Sequence, residues 1–358
     1  MKATARLNGV GQSLWLDDIT RELLDSGTLQ HYIDDLSVTG LTSNPTIFDH
    51  ALTHSAKYDE EIRQMVGRGF SGEALFFELA LEDLGRAADM FLPIHQRTGT
   101  VDGWVSLEVS PLLAYDTKAT TAEASRLYRR ANKPNLFVKI PGTTEGLPAI
   151  EASIFAGVPV NVTLLFSPGH YEAATDAYMK GLERRVAAGL SPDVRSVASV
   201  FISRWDRAVT DKVPDALRNR LGIAVGQLAY KAYRDVLESD RWQRLENLGA
   251  RPQRLLFAST SMKDPKASDT LYVQTFASPN TVNTMPEATL RAFGEHGSVG
   301  NLLPRDGGDA QQTLAAHGKA GIDVGALAGQ LQSAGAKSFV ESWQDLLKTI
   351  DTKSRELR

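Results

Sequence analysis

The stretch NLFVKIP, Asn135–Pro141, sets a lysine in the middle of an apolar run. Side chains alternate faces along a strand, so Leu136, Val138 and Ile140 share one face and Phe137 and Lys139 the other. The first face suits packing beneath helices. A lysine on the second is expensive to bury as an ammonium, because desolvation favours its neutral form.

The same division recurs on neighbouring runs. Val105, Leu107 and Val109 oppose Ser106, Glu108 and Ser110; Val160, Val162, Leu164 and Phe166 oppose Asn161 and Thr163; Leu14 and Leu16 oppose Trp15 and Asp17. Thr42 and Asn44 share a face just before Pro45. The predicted strands are Ser13–Asp18, Val38–Asn44, Trp104–Ser110, Asn135–Pro141, Pro159–Phe166, Ser196–Ser203, Arg254–Thr260 and Thr281–Met285. Segments with helical spacing lie between them, among them Ser71–His95, Thr120–Ala131 and Tyr171–Ala188. That alternation implies parallel pairing through right-handed crossovers, and eight strands close a (β/α)8 TIM barrel; a doubly wound open sheet has the same alternation. In a barrel the helix-facing side must be apolar. Lys139, Glu108, Asp17, Asn44, Asn161 and Thr163 would then point inward and meet at the C-terminal mouth, where barrel active sites form.

The chain has 358 residues, 42% hydrophobic and 23% charged, enough for a large core. Its net charge of −4 argues against a broad nucleic-acid footprint. The absence of cysteine removes disulfides, thiolate metal sites and a cysteine nucleophile. The opening MKATARLNGVGQSLWLDD has no apolar run of signal-peptide length, and no later run reaches the length of a membrane span. A soluble cytoplasmic protein with no membrane or nucleic-acid partner is the expectation. After Glu295 the stretch HGSVGNLLPRDGGD reads as a connector, followed by helices over Ala310–Gly318 and Val324–Lys353. We therefore expect a barrel over residues 1–300 and a C-terminal helical extension over 301–358 packed on it.

A lysine in a partly apolar barrel can lose its proton near neutral pH and attack a ketone, forming a Schiff base. The iminium is an electron sink, so the bond between the alpha and beta carbons can break to leave an enamine. One group must take the proton from the beta hydroxyl, and another must manage water during imine formation. Asp17 and Glu108 are the inward carboxylates, Asn44 and Asn161 could hold hydroxyls, and Thr163 could orient a water. Ser199 and Arg204 lie at the end of the sixth predicted strand and Lys263 follows the seventh, and the loops after late barrel strands are where phosphate is often bound. The alternative is a buried Lys139–Glu108 ion pair without chemistry.

These residues sit in recognisable motifs. GLTSNPTIF (Gly40–Phe48), SLEVSPLLAYDT (Ser106–Thr117), NLFVKIPGTTEGLPAIE (Asn135–Glu151) and VPVNVTLLFS (Val158–Ser167) resemble the transaldolase signatures in order and spacing. The match runs from about residue 13 to about 290, and TVNTMPEATL (Thr281–Leu290) is similar to the longer-chain bacterial subgroup. The resemblance implies a class I (β/α)8 barrel with no metal or organic cofactor. It implies Lys139 as the Schiff-base lysine, Asp17 as acid/base for carbon–carbon cleavage, and Glu108 with Thr163 handling water. Asn44 and Asn161 would bind substrate hydroxyls, and Ser199 with Arg204 the phosphate. Shorter members carry an arginine after the seventh strand; here Ser261–Met262–Lys263 stands there, and Lys263 would keep the charge but lose the bidentate fork.

The implied reaction moves a dihydroxyacetone unit from sedoheptulose 7-phosphate to glyceraldehyde 3-phosphate in the non-oxidative pentose phosphate pathway. Sugar phosphates would be the partners, to a monomer or homodimer. The related fructose 6-phosphate aldolases carry Gln where Glu108 stands and Tyr where Phe201 stands, and are shorter. A catalytically silent sugar-phosphate-binding barrel is a further alternative, which Lys139, Glu108 and Asp17 together argue against.

Elsewhere the expectations are plain. His50 and His54 are surface histidines without a third ligand. Gly318–Lys319–Ala320 lacks the upstream glycine and the Ser/Thr of a nucleotide loop. Phe76, Phe77, Tyr230 and Tyr233 read as helix packing, and Arg129, Arg130, Lys133 and Arg184–Arg185 as solvated helix faces.

Overall fold

Each apolar run read as a strand forms one: β1 (Ser13–Asp17), β2 (Val38–Thr42), β3 (Trp104–Glu108), β4 (Leu136–Pro141), β5 (Val160–Leu165), β6 (Ser196–Phe201), β7 (Gln253–Ala258) and β8 (Val282–Met285). They follow one another in a closed parallel barrel, with β8 returning to β1 through Leu14 opposite Asn283. Closure rules out the doubly wound sheet. This computed structural model describes residues 1–357; Arg358, the last residue of the expected extension, lies outside them.

Alternation along the strands divides the core in two. Leu14, Leu16, Val105, Leu107, Leu136, Val138, Val160 and Val162 pack outward against the surrounding helices. Trp15, Trp104, Phe137, Val197, Leu256 and Val282 fill the barrel's interior. The Trp104 and Phe137 rings stack at 4.0 Å, forming a floor below Lys139. Gly40 on β2 makes room for this floor, since a Cβ there would lie 2.5 Å from Trp15 Nε1. Phe76, Phe77, Tyr230 and Tyr233 are buried in the helix layer, as expected.

One strand departs from simple parity. Leu164 and, just past the strand, Phe166, both expected on the outer face with Val162, instead pack with the interior cluster. The φ of Leu164 is +60°, and the β5–β6 register shifts between Val162 and Leu165. A bulge of this kind re-aims the side chains beyond it, and a left-handed leucine is strained.

Strands also end earlier than expected where a helix begins. Asn44 lies past β2 and caps the helix Pro45–His54, its Oδ1 accepting the Ile47 N–H at 3.1 Å. Ser203 opens the helix Ser203–Val209. The expected C-terminal helices are Ala310–Lys319 and Val324–Glu356. The last, here called the terminal helix, has 33 residues, about 50 Å at 1.5 Å per residue. At its far end Trp343 packs edge-on to Phe76 at 4.9 Å, Thr349 donates to Asp49 at 2.7 Å and Lys353 to Asp59 at 2.6 Å. Among the described residues, no helix is long and apolar enough to cross a membrane.

Candidate active site

Strand register builds the centre. Glu108 pairs with Lys139, and Lys139 with Asn161, so three polar side chains stand abreast on β3, β4 and β5. Lys139 is 6% exposed and Glu108 7%, and the Lys139 Nζ lies 3.4 Å from Glu108 Oε2. The Nζ also donates to the Ser43 carbonyl at 3.2 Å. Asn161 donates to Ser106 Oγ at 3.1 Å and accepts from Ser199 Oγ at 2.7 Å, which draws Ser199 down beside Asn161. The Thr163 hydroxyl is buried with no hydrogen-bond partner among the described residues. A buried orphan hydroxyl beside an amine and a carboxyl is a polar group available to a reaction.

The carboxylates are set apart by their surroundings. Burial pushes the Glu108 carboxyl up to about 7, against the pull of Lys139. Burial also raises Asp17 above the ordinary carboxylate range, while the Lys139 charge and the hydrogen bond from Thr42 at 2.8 Å draw it back. Asp18, missed by the sequence reading, lines the same cavity and is pushed up to about 6, first by burial and then by Glu287 and Asp17.

A cavity of about 480 Å³ opens above Lys139. Asp17, Asn44, Thr163, Ser199, Arg204, Ser261 and Lys263 line it with the lysine, so most of the expected set converges there. Glu108 and Asn161 sit behind Lys139. Arg204, on the helix Ser203–Val209, is held between two rings, 5.1 Å from Phe201 and 5.8 Å from Phe339. Burial and Arg207 lower it from its ordinary value, and a guanidinium remains charged through such a shift. Lys263 donates to Ser261 at 3.2 Å on the exposed rim.

Phe339 and Gln332 also reach this mouth, though no motif along the chain marks them, and His50, expected as a surface histidine, lines the cavity. His50 stacks on His54 at 4.2 Å, and among the described residues no group of three or more His, Cys, Asp or Glu is set to hold a metal. Of the basic residues expected on helix faces, Arg130 and Arg184 pair with Glu78 and Glu151, and Lys133, which lies just past the helix Thr117–Ala131, pairs with Asp89.

A lysine amine beside buried carboxyls, at the C-terminal mouth of a (β/α)8 barrel and below a cationic rim, is the equipment of an enzyme that acts through a Schiff base. Residues 14–350 match the Transaldolase/Fructose-6-phosphate aldolase family, and the chain belongs to it. It is 44% identical over 359 residues to the transaldolase of Parafrankia sp. (strain EAN1pec), covering 98% of this chain and 97% of that one. Identity is 45% with the transaldolase of Saccharopolyspora erythraea, over 96% of this chain and 95% of the relative. It is 44% with that of Thermobifida fusca, over 96% of each.

Proposed function

We propose that this chain is a transaldolase that carries a dihydroxyacetone unit on Lys139 from a ketose phosphate to an aldose phosphate. The observation that carries this reading is the pairing of the Lys139 amine, 3.4 Å from Glu108, with a carboxyl that burial holds near neutrality.

The neutral amine attacks the ketone carbon C2 of sedoheptulose 7-phosphate or fructose 6-phosphate. Glu108, positioned with the Thr163 hydroxyl, gives a proton to the departing water as the C–O bond breaks and the iminium forms. Asp17 takes the proton from the C4 hydroxyl; the C3–C4 electron pair moves into a C2–C3 enamine, and the aldose phosphate leaves. An incoming aldehyde, glyceraldehyde 3-phosphate in the principal direction, takes the enamine's electrons at C3 and a proton from Asp17. Water then returns through Glu108 to release the new ketose. Asn44 and Asn161 hold hydroxyls of the carried unit, with Ser199 acting through its bond to Asn161. Arg204, Ser261 and Lys263, on one side of the cavity mouth, hold the phosphate. No metal or organic cofactor is needed for any of these steps. We assign the enzyme to the cytoplasm and the non-oxidative pentose phosphate pathway, acting as a monomer or homodimer.

The test is chemical. After incubation with fructose 6-phosphate and reduction by borohydride, the peptide containing Lys139 should gain the mass of a reduced dihydroxyacetone or ketose adduct. An unmodified Lys139, or an adduct on another lysine, overturns the mechanism.

A further inference from the structure

The terminal helix meets the reacting centre with one face. Phe339 is 7% exposed, and its ring centroid lies 5.7 Å from the Lys139 Nζ and 5.8 Å from Arg204 Cζ. It therefore spans the amine and the cationic rim. Gly335, one turn earlier, lets the helix come this close, because a Cβ there would lie 3.0 Å from both Arg204 Nη1 and Leu164 Cδ2. Gln332 fastens the same face, its amide donating at 3.0 Å to the carbonyls of Gly142 and Leu164, just past β4 and on β5. The strained Leu164 conformation is thus tied to a residue of the terminal helix. None of these contacts is needed merely to close the barrel, whose strands already pair all round.

From this geometry we infer that Phe339 is a specificity-determining residue: its ring keeps water from the enamine on Lys139, so that the carried unit waits for an acceptor aldehyde. The inference rests on the Schiff-base reading above and extends it to the choice between transfer and loss. Loss is a defined reaction. The enamine carbon C3 takes a proton, giving an iminium. Water adds at C2, the C–N bond breaks with its electrons returning to nitrogen, and free dihydroxyacetone leaves with the amine regenerated. Water is the only co-reactant. The Phe339 ring lines the cavity beside the amine and offers no hydrogen-bond partner to a water next to the enamine, whereas an acceptor aldehyde is held by the polar groups of the same cavity.

The experiment measures a ratio. The full-length chain, Phe339→Ala and Phe339→Leu are each given fructose 6-phosphate. Free dihydroxyacetone is measured without acceptor, and transfer is measured with erythrose 4-phosphate present. The ratio of release to transfer does not depend on how much of a variant is folded. It should rise about tenfold or more in Phe339→Ala and less in Phe339→Leu, with the borohydride adduct on Lys139 retained. An unchanged ratio in both variants, with the adduct intact, overturns the role of Phe339 and leaves the reaction standing. No adduct in the unsubstituted chain overturns the reaction and this inference together.

Discussion

The two ends of the barrel interior bury carboxylates in opposite ways. At the N-terminal end, Asp102 accepts from Trp15 Nε1 at 2.8 Å, from the Gly103 N–H at 3.1 Å and from the Ser13 hydroxyl. Arg254 supports Ser13 from the rim at 2.7 Å. At the C-terminal end, Glu108 has, among the described residues, only the Lys139 Nζ at 3.4 Å, and burial raises its carboxyl to about 7. Both are less than a tenth exposed. A carboxylate saturated with donors is a structural part; one buried without them keeps a proton that it can give away.

Substitutions at the two ends should therefore separate activity from stability. The largest effect is expected from Lys139→Ala, which should abolish turnover and adduct formation. At pH 6 its melting temperature should be unchanged or raised, since Glu108 is then protonated and leaves no unpaired charge. A steep loss of melting temperature would make the pair structural instead. Glu108→Gln should cost about 10²–10⁴-fold in turnover, the range for a lost general acid–base group.

The pH dependence sharpens the same contrast. Glu108 is raised in the folded chain, so the fold holds an extra proton between the ordinary carboxylate range and about pH 7. Its contribution to stability is greatest below that window and falls as pH rises through it. Imine formation, followed by rapid quench with borohydride, should slow as pH rises through about 7, and Glu108→Gln should remove that inflection. At the other end, Asp102→Ala orphans the Ser13 and Trp15 donors and should cost about 1–3 kcal/mol for each group left unpaired. Denaturant unfolding should show this loss, with kcat per folded molecule nearly kept. The smallest effect is expected from Thr163→Val, a roughly tenfold fall in kcat with little change in KM. An equal fall in stability would assign Thr163 to packing.

Much of this contrast was legible along the chain. Asp17, Glu108, Lys139, Asn161 and Thr163 were placed by strand parity, because a period of two leaves no third direction for a side chain. Parity failed at Leu164, where a left-handed residue breaks the period and the sequence carries no glycine to mark the turn. Asp18 was overlooked because it follows Asp17 and alternation assigns it outward; past the end of β1 the rule no longer holds.

The order of residues along the chain determined the strands, their number, the side on which the polar groups emerge and the signatures of the family. These follow from backbone geometry and short-range chemistry, which any stretch of a few residues already contains. Only the folded chain decided that Ser199 would bond to Asn161, that Arg204 would sit between two phenylalanines, and that the terminal helix would reach the amine. Gln332 and Gly142 lie 190 residues apart, and a contact over that separation depends on the path of everything between them, which leaves no local trace.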